Sequence, residues 1–398
     1  MKKNLYSIGM LAIFFLTTQI NAELVSIHDA AQLGDLNIVK VLLSAVPGNI
    51  FAQDERGLQA IHHAAGGGHP HIIEFLITNG AQVDAKDNDG WEPIHYAVSQ
   101  GKQETLEFLI ANGANVHAQC NDGQQPAHIA ALNGHIDIME LLIANNANIN
   151  AKSNEGWTPL HFAAINGHKP FVECIITNGA DVEAKAAFDT TPLIATALTT
   201  AVNGNIDVLK CLIDHGANVN AIQTNNGFQC LHYAIQNGFQ DYVEVLLASG
   251  ADVNRRENHG WLPIHIAVDL NHTEIVKTLV SYGAHVNGQS RSNGWQPLHM
   301  AAHHGYKALV EYLVANGANA NAEDYEGLTP INHAEMGLDP SSGIQYPEIV
   351  AFLEAVATKS NVSKDNTMTD NIIIDINYNG DNSTSMPLPQ SVPNYREA

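Results

Sequence analysis

"EGWTPLHFAAINGH", residues 155–168, decides the architecture, because nearly every position in it has a physical reading. Gly156 closes a polar run and suits a turn. Pro159 lacks an N–H that the first helical position would leave unpaired, and its φ is already near the helical value, so it opens a helix. Ala163 and Ala164 are small enough for close helix packing, and Gly167 then breaks the chain. The phrase recurs as "DNDGWEPIHYA" (87–97), "ENHGWLPIHIA" (257–267) and "RSNGWQPLHMA" (291–301).

Working outward, the turn glycines Gly57, Gly90, Gly123 and Gly156 are spaced by 33 residues, Asp189 takes the next place, and Gly227, Gly260, Gly294 and Gly327 follow at steps of 33, 34 and 33. One step is irregular, 38 residues from Asp189 to Gly227. "PLIATALTTAVNG" (192–204) is longer than its counterpart "PIHYAVSQG" (93–101) by about one helical turn, and a further residue enters before Gly227. In each unit a second apolar-periodic run follows, such as "ETLEFLIAN" (104–112) or "IDIMELLIAN" (136–145). It ends at a glycine suited to the left-handed C′ position: Gly80, Gly113, Gly179, Gly216, Gly250, Gly283 or Gly317. In the third unit that place holds Asn146, and Asn is the residue that best tolerates the left-handed region after glycine. One such unit cannot bury its own apolar face, so neighbours must stack.

The spacing and wording of these units resemble the ankyrin repeat family, whose motif runs D-x-x-G-x-T-P-L-H-x-A-A-x-x-G-H, then L-L, then G-A-D-V-N-A. The resemblance covers residues 23–357 and counts nine full repeats, starting near Asp54, Asp87, Cys120, Ser153, Ala186, Gln223, Glu257, Ser290 and Asp324. "SIHDAAQLGDLNIVKVLL" (26–43) reads as an N-terminal capping helix pair. The last repeat is altered, with about eight extra residues around 338–346 between its two helices. The resemblance implies an all-α repeat solenoid with short β-hairpins, a concave groove lined by hairpins and first helices, and no deep catalytic cleft.

The ends have a different character. Lys2 and Lys3 precede the short apolar run "IGMLAIFFL" (8–16), and "INA" (20–22) ends in a small residue before Glu23. Residues 1–22 therefore read as a secretory signal peptide cleaved after Ala22, since the apolar run is short for a membrane span of about 20 residues. Residues 358–398 are rich in Asn, Ser, Thr, Asp and Pro and read as a disordered tail. Within them Ile372, Ile374, Ile376 and Tyr378 alternate as a short strand would over 371–379.

The formal charge of −23, with 18 basic against 41 acidic residues, repels phosphate, so nucleic acid and anionic membrane are poor partners. No membrane insertion is expected after signal cleavage, and the expected state is a monomer. No P-loop, G-x-S-x-G, H-E-x-x-H or dinucleotide-binding glycine pattern occurs. The 21 histidines raise the question of metal. His28, His62, His95, His128, His161, His232, His265 and His299 occupy the motif place, which in the family ties hairpin to helix. His69, His135, His168 and His272 follow the inter-helix turn. The rest do not converge as a zinc site requires, and no metal or cofactor is expected. Cys174 and Cys211 fall in equivalent places of adjacent repeats, about 10 Å apart by helix packing. A disulfide needs Cα atoms within about 7 Å, so buried free thiols are expected. The motif Thr survives at Thr158, Thr191 and Thr329 and is replaced by Gln59, Glu92, Gln125, Gln229, Leu262 and Gln296. Losing a hydroxyl cap costs typically about 1 kcal/mol.

The place after the turn glycine reads Leu58, Trp91, Gln124, Trp157, Thr190, Phe228, Trp261, Trp295 and Leu328. In the family its side chain faces the groove. Aromatics there bury much area with few rotatable bonds and are enriched at interaction hot spots. Trp91, Trp157, Phe228, Trp261 and Trp295 are therefore candidate partner-binding residues; bracing of neighbouring hairpins is the alternative role. Ile165, Leu132, Leu270, His303 and His304, in the paired place before the inter-helix break, complete the candidate groove. The expectation is a non-catalytic protein-binding scaffold, exported to the periplasm or beyond. By analogy with ankyrin-bearing effectors of intracellular bacteria, it would act on host proteins. A periplasmic protector of a resident enzyme, and an enzyme using the His-rich N-terminal repeats around His62 and His69, are the alternatives.

Overall fold

A computed structural model describes residues 26–198, 206–337 and 346–365. The signal sequence (1–22) and the 371–379 strand expected above lie outside these residues. The chain opens with the expected helix pair, Ile27–Leu33 and Leu36–Ala45. Nine further helix pairs follow, of which Pro93–Ser99 with Gln103–Ala111, and Pro126–Asn133 with Ile136–Ala144, are representative. The altered last repeat pairs Pro330–Met336 with Pro347–Asp365, so helix continues past residue 357, where the tail was expected to begin.

First and second helices differ in burial because they differ in neighbours. A first helix is covered on both flanks by the first helices of adjacent repeats and from behind by its own second helix. Ile94, His95, Ala97 and Val98 are accordingly all fully enclosed. A second helix buries one stripe, such as Ile138, Met139 and Leu142. Each such side chain contributes about 1.5–3 kcal/mol relative to exposure. The first-helix layer packs more closely than the second-helix layer, as the alanine pairs Ala130-Ala131 and Ala163-Ala164, fully buried, allow. Unequal spacing of two stacked layers bends the stack toward the tighter one, which puts the concave side on the first helices.

Left-handed residues stand where the sequence places them. Asn146 takes the C′ position at φ 63°, as glycine does at Gly113 (φ 93°) and Gly179 (φ 95°). The fifth finger is the exception: with no glycine available, both Phe188 and Asp189 sit at φ 59°.

The expected β-hairpins are replaced by turns, and no strand occurs among the described residues. Each finger closes on itself, with the Asp87 amide donating to the Trp91 carbonyl (3.0 Å) and the Asp87 carboxylate accepting from the amides of Asp89 and Trp91 (2.9 and 2.7 Å). Between neighbouring fingers the backbone makes one bond, for example from the Asn88 amide to the Arg56 carbonyl (3.0 Å) and from the Asn121 amide to the Asp89 carbonyl (2.9 Å). A single rung per repeat is too little for a ladder. Asn side chains reinforce it: Asn88, Asn121 and Asn154 each donate to a carbonyl of the preceding finger at 3.2, 3.0 and 2.8 Å.

The four cysteines are free thiols. Cys174 is half-buried rather than enclosed, because it lies outside the stripe Phe171, Val172 and Ile175 that its helix buries. Cys230, in place of the motif proline, is fully enclosed, donates to the Leu193 carbonyl (3.4 Å), and is pushed up to about 12 by burial.

Candidate binding groove

The motif histidine sets the geometry of the groove. In repeat after repeat its Nδ1 accepts from the amide that caps the first helix, as in Glu92 to His95 (2.9 Å) and Gln125 to His128 (2.9 Å). A carbonyl can only accept, so Nε2 carries the hydrogen and donates forward to the next finger: His62 to Ala85 (2.9 Å), His95 to Ala118 (3.1 Å), His161 to Thr190 (2.9 Å). The turn histidines reach backward instead, His69 to the Gln32 carbonyl (3.0 Å), His135 to Ser99 (3.1 Å) and His168 to Leu132 (3.0 Å). Burial holds His95, His161, His232 and His265 neutral, pushed down to about 4. His62 and His69 are thus both engaged in scaffold bonds. Among the described residues no group of three or more His, Cys, Asp or Glu side chains is placed to hold a metal ion.

The lost threonines leave a mark. Where Thr158 remains, its hydroxyl meets His161 Nδ1 at 2.8 Å. The oxygens of Gln59, Gln125, Gln229 and Gln296, and Glu92 Oε2, are buried there without a partner. Burial also raises the Glu92 carboxyl above its usual range. Each orphaned oxygen costs about 1–3 kcal/mol.

The slot aromatics are half-buried and pack on the core. Four of them lie on their own first helix. Trp91 contacts His95 and Tyr96 (5.6 and 5.3 Å between ring centres), Trp157 contacts His161 and Phe162 (5.4 and 5.8 Å), and Phe228 contacts His232 and Tyr233 (5.2 and 5.1 Å). Trp261 keeps only the contact with His265, at 6.3 Å. These rings brace finger against helix and keep part of their surface exposed. Trp295 departs from the pattern. Its ring turns to His303 (5.1 Å) and to His333 of the next repeat (4.5 Å).

Of the remaining candidates, Leu132 and Leu270 are half-buried against the core. Ile165 is 8% exposed and stands inside the helix Pro159–Asn166, so it offers little surface to a partner. His304 pairs with Asp269 of the preceding repeat (3.1 Å) and stacks on Tyr306 (5.2 Å, 13° between planes). The structure thus brings together Trp295 and His303, and His304 with Asp269 beside Leu270, at one end of the stack.

Sequence reasoning did not anticipate a second tether, from the head of a finger to the residue after the motif histidine. It joins Asp54 to His63 (3.0 Å), Asp87 to the Tyr96 hydroxyl, Gln223 to the Tyr233 hydroxyl, and Asp324 to His333 (2.8 Å). The signal was present as a polar pair nine or ten residues apart in those repeats and an apolar partner, such as Phe162 or Ile266, in others.

Among the described residues no helix is long and apolar enough to cross a membrane. No curated protein matches the chain. The family model described as "Ankyrin repeats (3 copies)" matches residues 27–120, 104–186, 185–257 and 264–355, the span over which histidine-stitched helix pairs follow one another in the structure. The chain belongs to the ankyrin repeat family, whose members are in general non-catalytic protein-binding scaffolds.

Proposed function

We propose that this protein is exported and captures a protein partner along its first-helix groove, with the aromatic slot as the contact row. The observation that carries the reading is that Trp91, Trp157, Phe228, Trp261 and Trp295, in the same place of five repeats of one stack, are all half-buried. Each is held on one side by the scaffold and free on the other, so little side-chain entropy remains to be lost on binding. The acidic balance of 18 basic against 41 acidic residues favours a partner with a basic face. The Lys2-Lys3 start and the apolar run 8–16 support export, with Glu23 the first residue of the mature chain. A secreted effector acting on host proteins is the biological setting proposed.

The test is crosslinking and mass spectrometry of the captured complex, with Trp91→Ala/Trp157→Ala compared against Trp91→Phe/Trp157→Phe. The alanine pair should weaken capture by about tenfold or more, as hot-spot truncations do, while the phenylalanine pair retains both fold and binding. Unchanged capture by a folded alanine pair would remove the aromatic row from the interface. Protein recovered outside the cytoplasm should begin at Glu23; an intact Met1 confined to the cytosol would refute export.

A further inference from the structure

At the C-terminal end of the groove, where Trp295 leaves the family of braced rings, a cavity of about 410 Å3 opens between the last two fingers. Trp295, His303, Asp324, Tyr325, Glu326 and His333 line it. Its chemistry is one-sided. Asp324 is buried, and burial opposes its ionisation. The hydrogen bonds from His333 and from the amides of Leu328 and Glu326 outweigh that and hold its carboxyl below the usual range. An ionised Asp324 accepts from His333 Nε2 at 2.8 Å. The other ring nitrogen, Nδ1, is buried without a partner in a side chain only 3% exposed. His303 Nδ1 is orphaned in the same way. Glu326 is exposed and adds a carboxylate at the rim. The indole of Trp295, 4.5 Å from the His333 ring centre, contributes an aromatic wall, and Tyr325, 62% exposed, a second.

From an aromatic-walled cavity with a carboxylate at its rim and unpartnered ring nitrogens in its wall, we infer that this end of the groove receives a guanidinium group, the arginine side chain of the partner. Guanidinium suits the cavity better than an ammonium ion. It is planar, so it can stack on Trp295, and its fork of N–H donors can reach acceptors in different directions. The occupant would lie against polar ring atoms that the free protein leaves unpaired, which is where buried polar groups yield discrimination. What sets this repeat apart is that Trp295 meets the far end of its own first helix, at His303, and His333 of the next repeat, rather than the two residues that Trp91, Trp157 and Phe228 meet near the helix start. The inference rests on the groove reading only for the source of the cation; the cavity chemistry stands separately.

The experiment titrates the full chain with N-acetylarginine amide and, in parallel, with N-acetylcitrulline amide, which has the same shape and no charge, by calorimetry at millimolar ligand. The arginine amide should bind saturably and the citrulline amide should not. Trp295→Ala should weaken binding about tenfold and Glu326→Gln about threefold or more, on the scale of a partly desolvated cation–π contact and an exposed ion pair. Glu326→Gln lies on the surface, so it tests the idea even where Trp295→Ala disturbs the fold. Equal binding of the two amides, no binding of the arginine amide, or indifference to Glu326→Gln would overturn the proposal. Trp91 and Trp157 are remote in sequence from the cavity and stay intact here, so failure at this site is distinguishable from failure of the aromatic row.

Discussion

Unfolding this protein in mildly acidic solution should take up protons, and the number follows from the stitching histidines. His95, His161, His232 and His265 are fully enclosed and are pushed down to about 4 in the folded chain, against about 6.5 when unfolded. The folded pKa is the lower one. Between those values the unfolded chain therefore binds more protons, and stability rises with pH across the window. Stability is intact above about pH 6.5 and falls away as pH drops toward 4. At pH 5.5 each of the four is about 0.9 protonated when unfolded and nearly unprotonated when folded, giving about 3.5 protons from the set. Each site loses about 3 kcal/mol across the full window. Burial moves His62, His128 and His299 in the same direction, so the set is a lower bound. Denaturant-induced unfolding in weakly buffered solution with a pH electrode measures the uptake directly and does not depend on two-state behaviour, which long repeat arrays need not show. An uptake below about one proton at pH 5.5, or one as large at pH 7.5, would refute the claim that these rings are held neutral by burial.

Two further changes address what the scaffold lacks. Gln125→Thr should remove an orphaned buried oxygen and restore the hydroxyl found at Thr158, raising stability by about 1 kcal/mol in urea titration. Phe188→Gly should raise it by a similar amount. The left-handed backbone at φ 59° costs a residue with a Cβ about 1–2 kcal/mol, and a side chain 61% exposed gives up little packing. A lower unfolding midpoint would instead assign that phenylalanine a packing role.

The repeat register was legible because it is written in local backbone chemistry. Pro159 can only start its helix, Gly156 and Asn146 suit left-handed turns, and each signal recurs within one 33-residue unit. What a side chain touches in the next unit was not legible. Trp91 and Trp295 occupy the same place in the motif, yet one lies on Tyr96 and the other on His333. The difference is made by neighbours: Met300 follows the motif histidine where Trp91 has Tyr96, and a histidine stands at position 333 in the next repeat. The finger turns also fell short of hairpins because strand pairing needs several rungs, and the sequence period supplies one per repeat.

The alternation of forward and backward histidine bonds has a mechanical reading. Each repeat is tied to the one after it and the one before it and to little else, so load applied at the two ends passes through every junction in series. Such a chain behaves as a row of springs with unequal latches, Ile194, Phe239 and Tyr306 standing where other units have a stitching histidine, and the weakest latch opens first. Once open, a 33-residue unit releases about 11 nm of chain at about 3.3 Å per residue, while the units on either side remain shut.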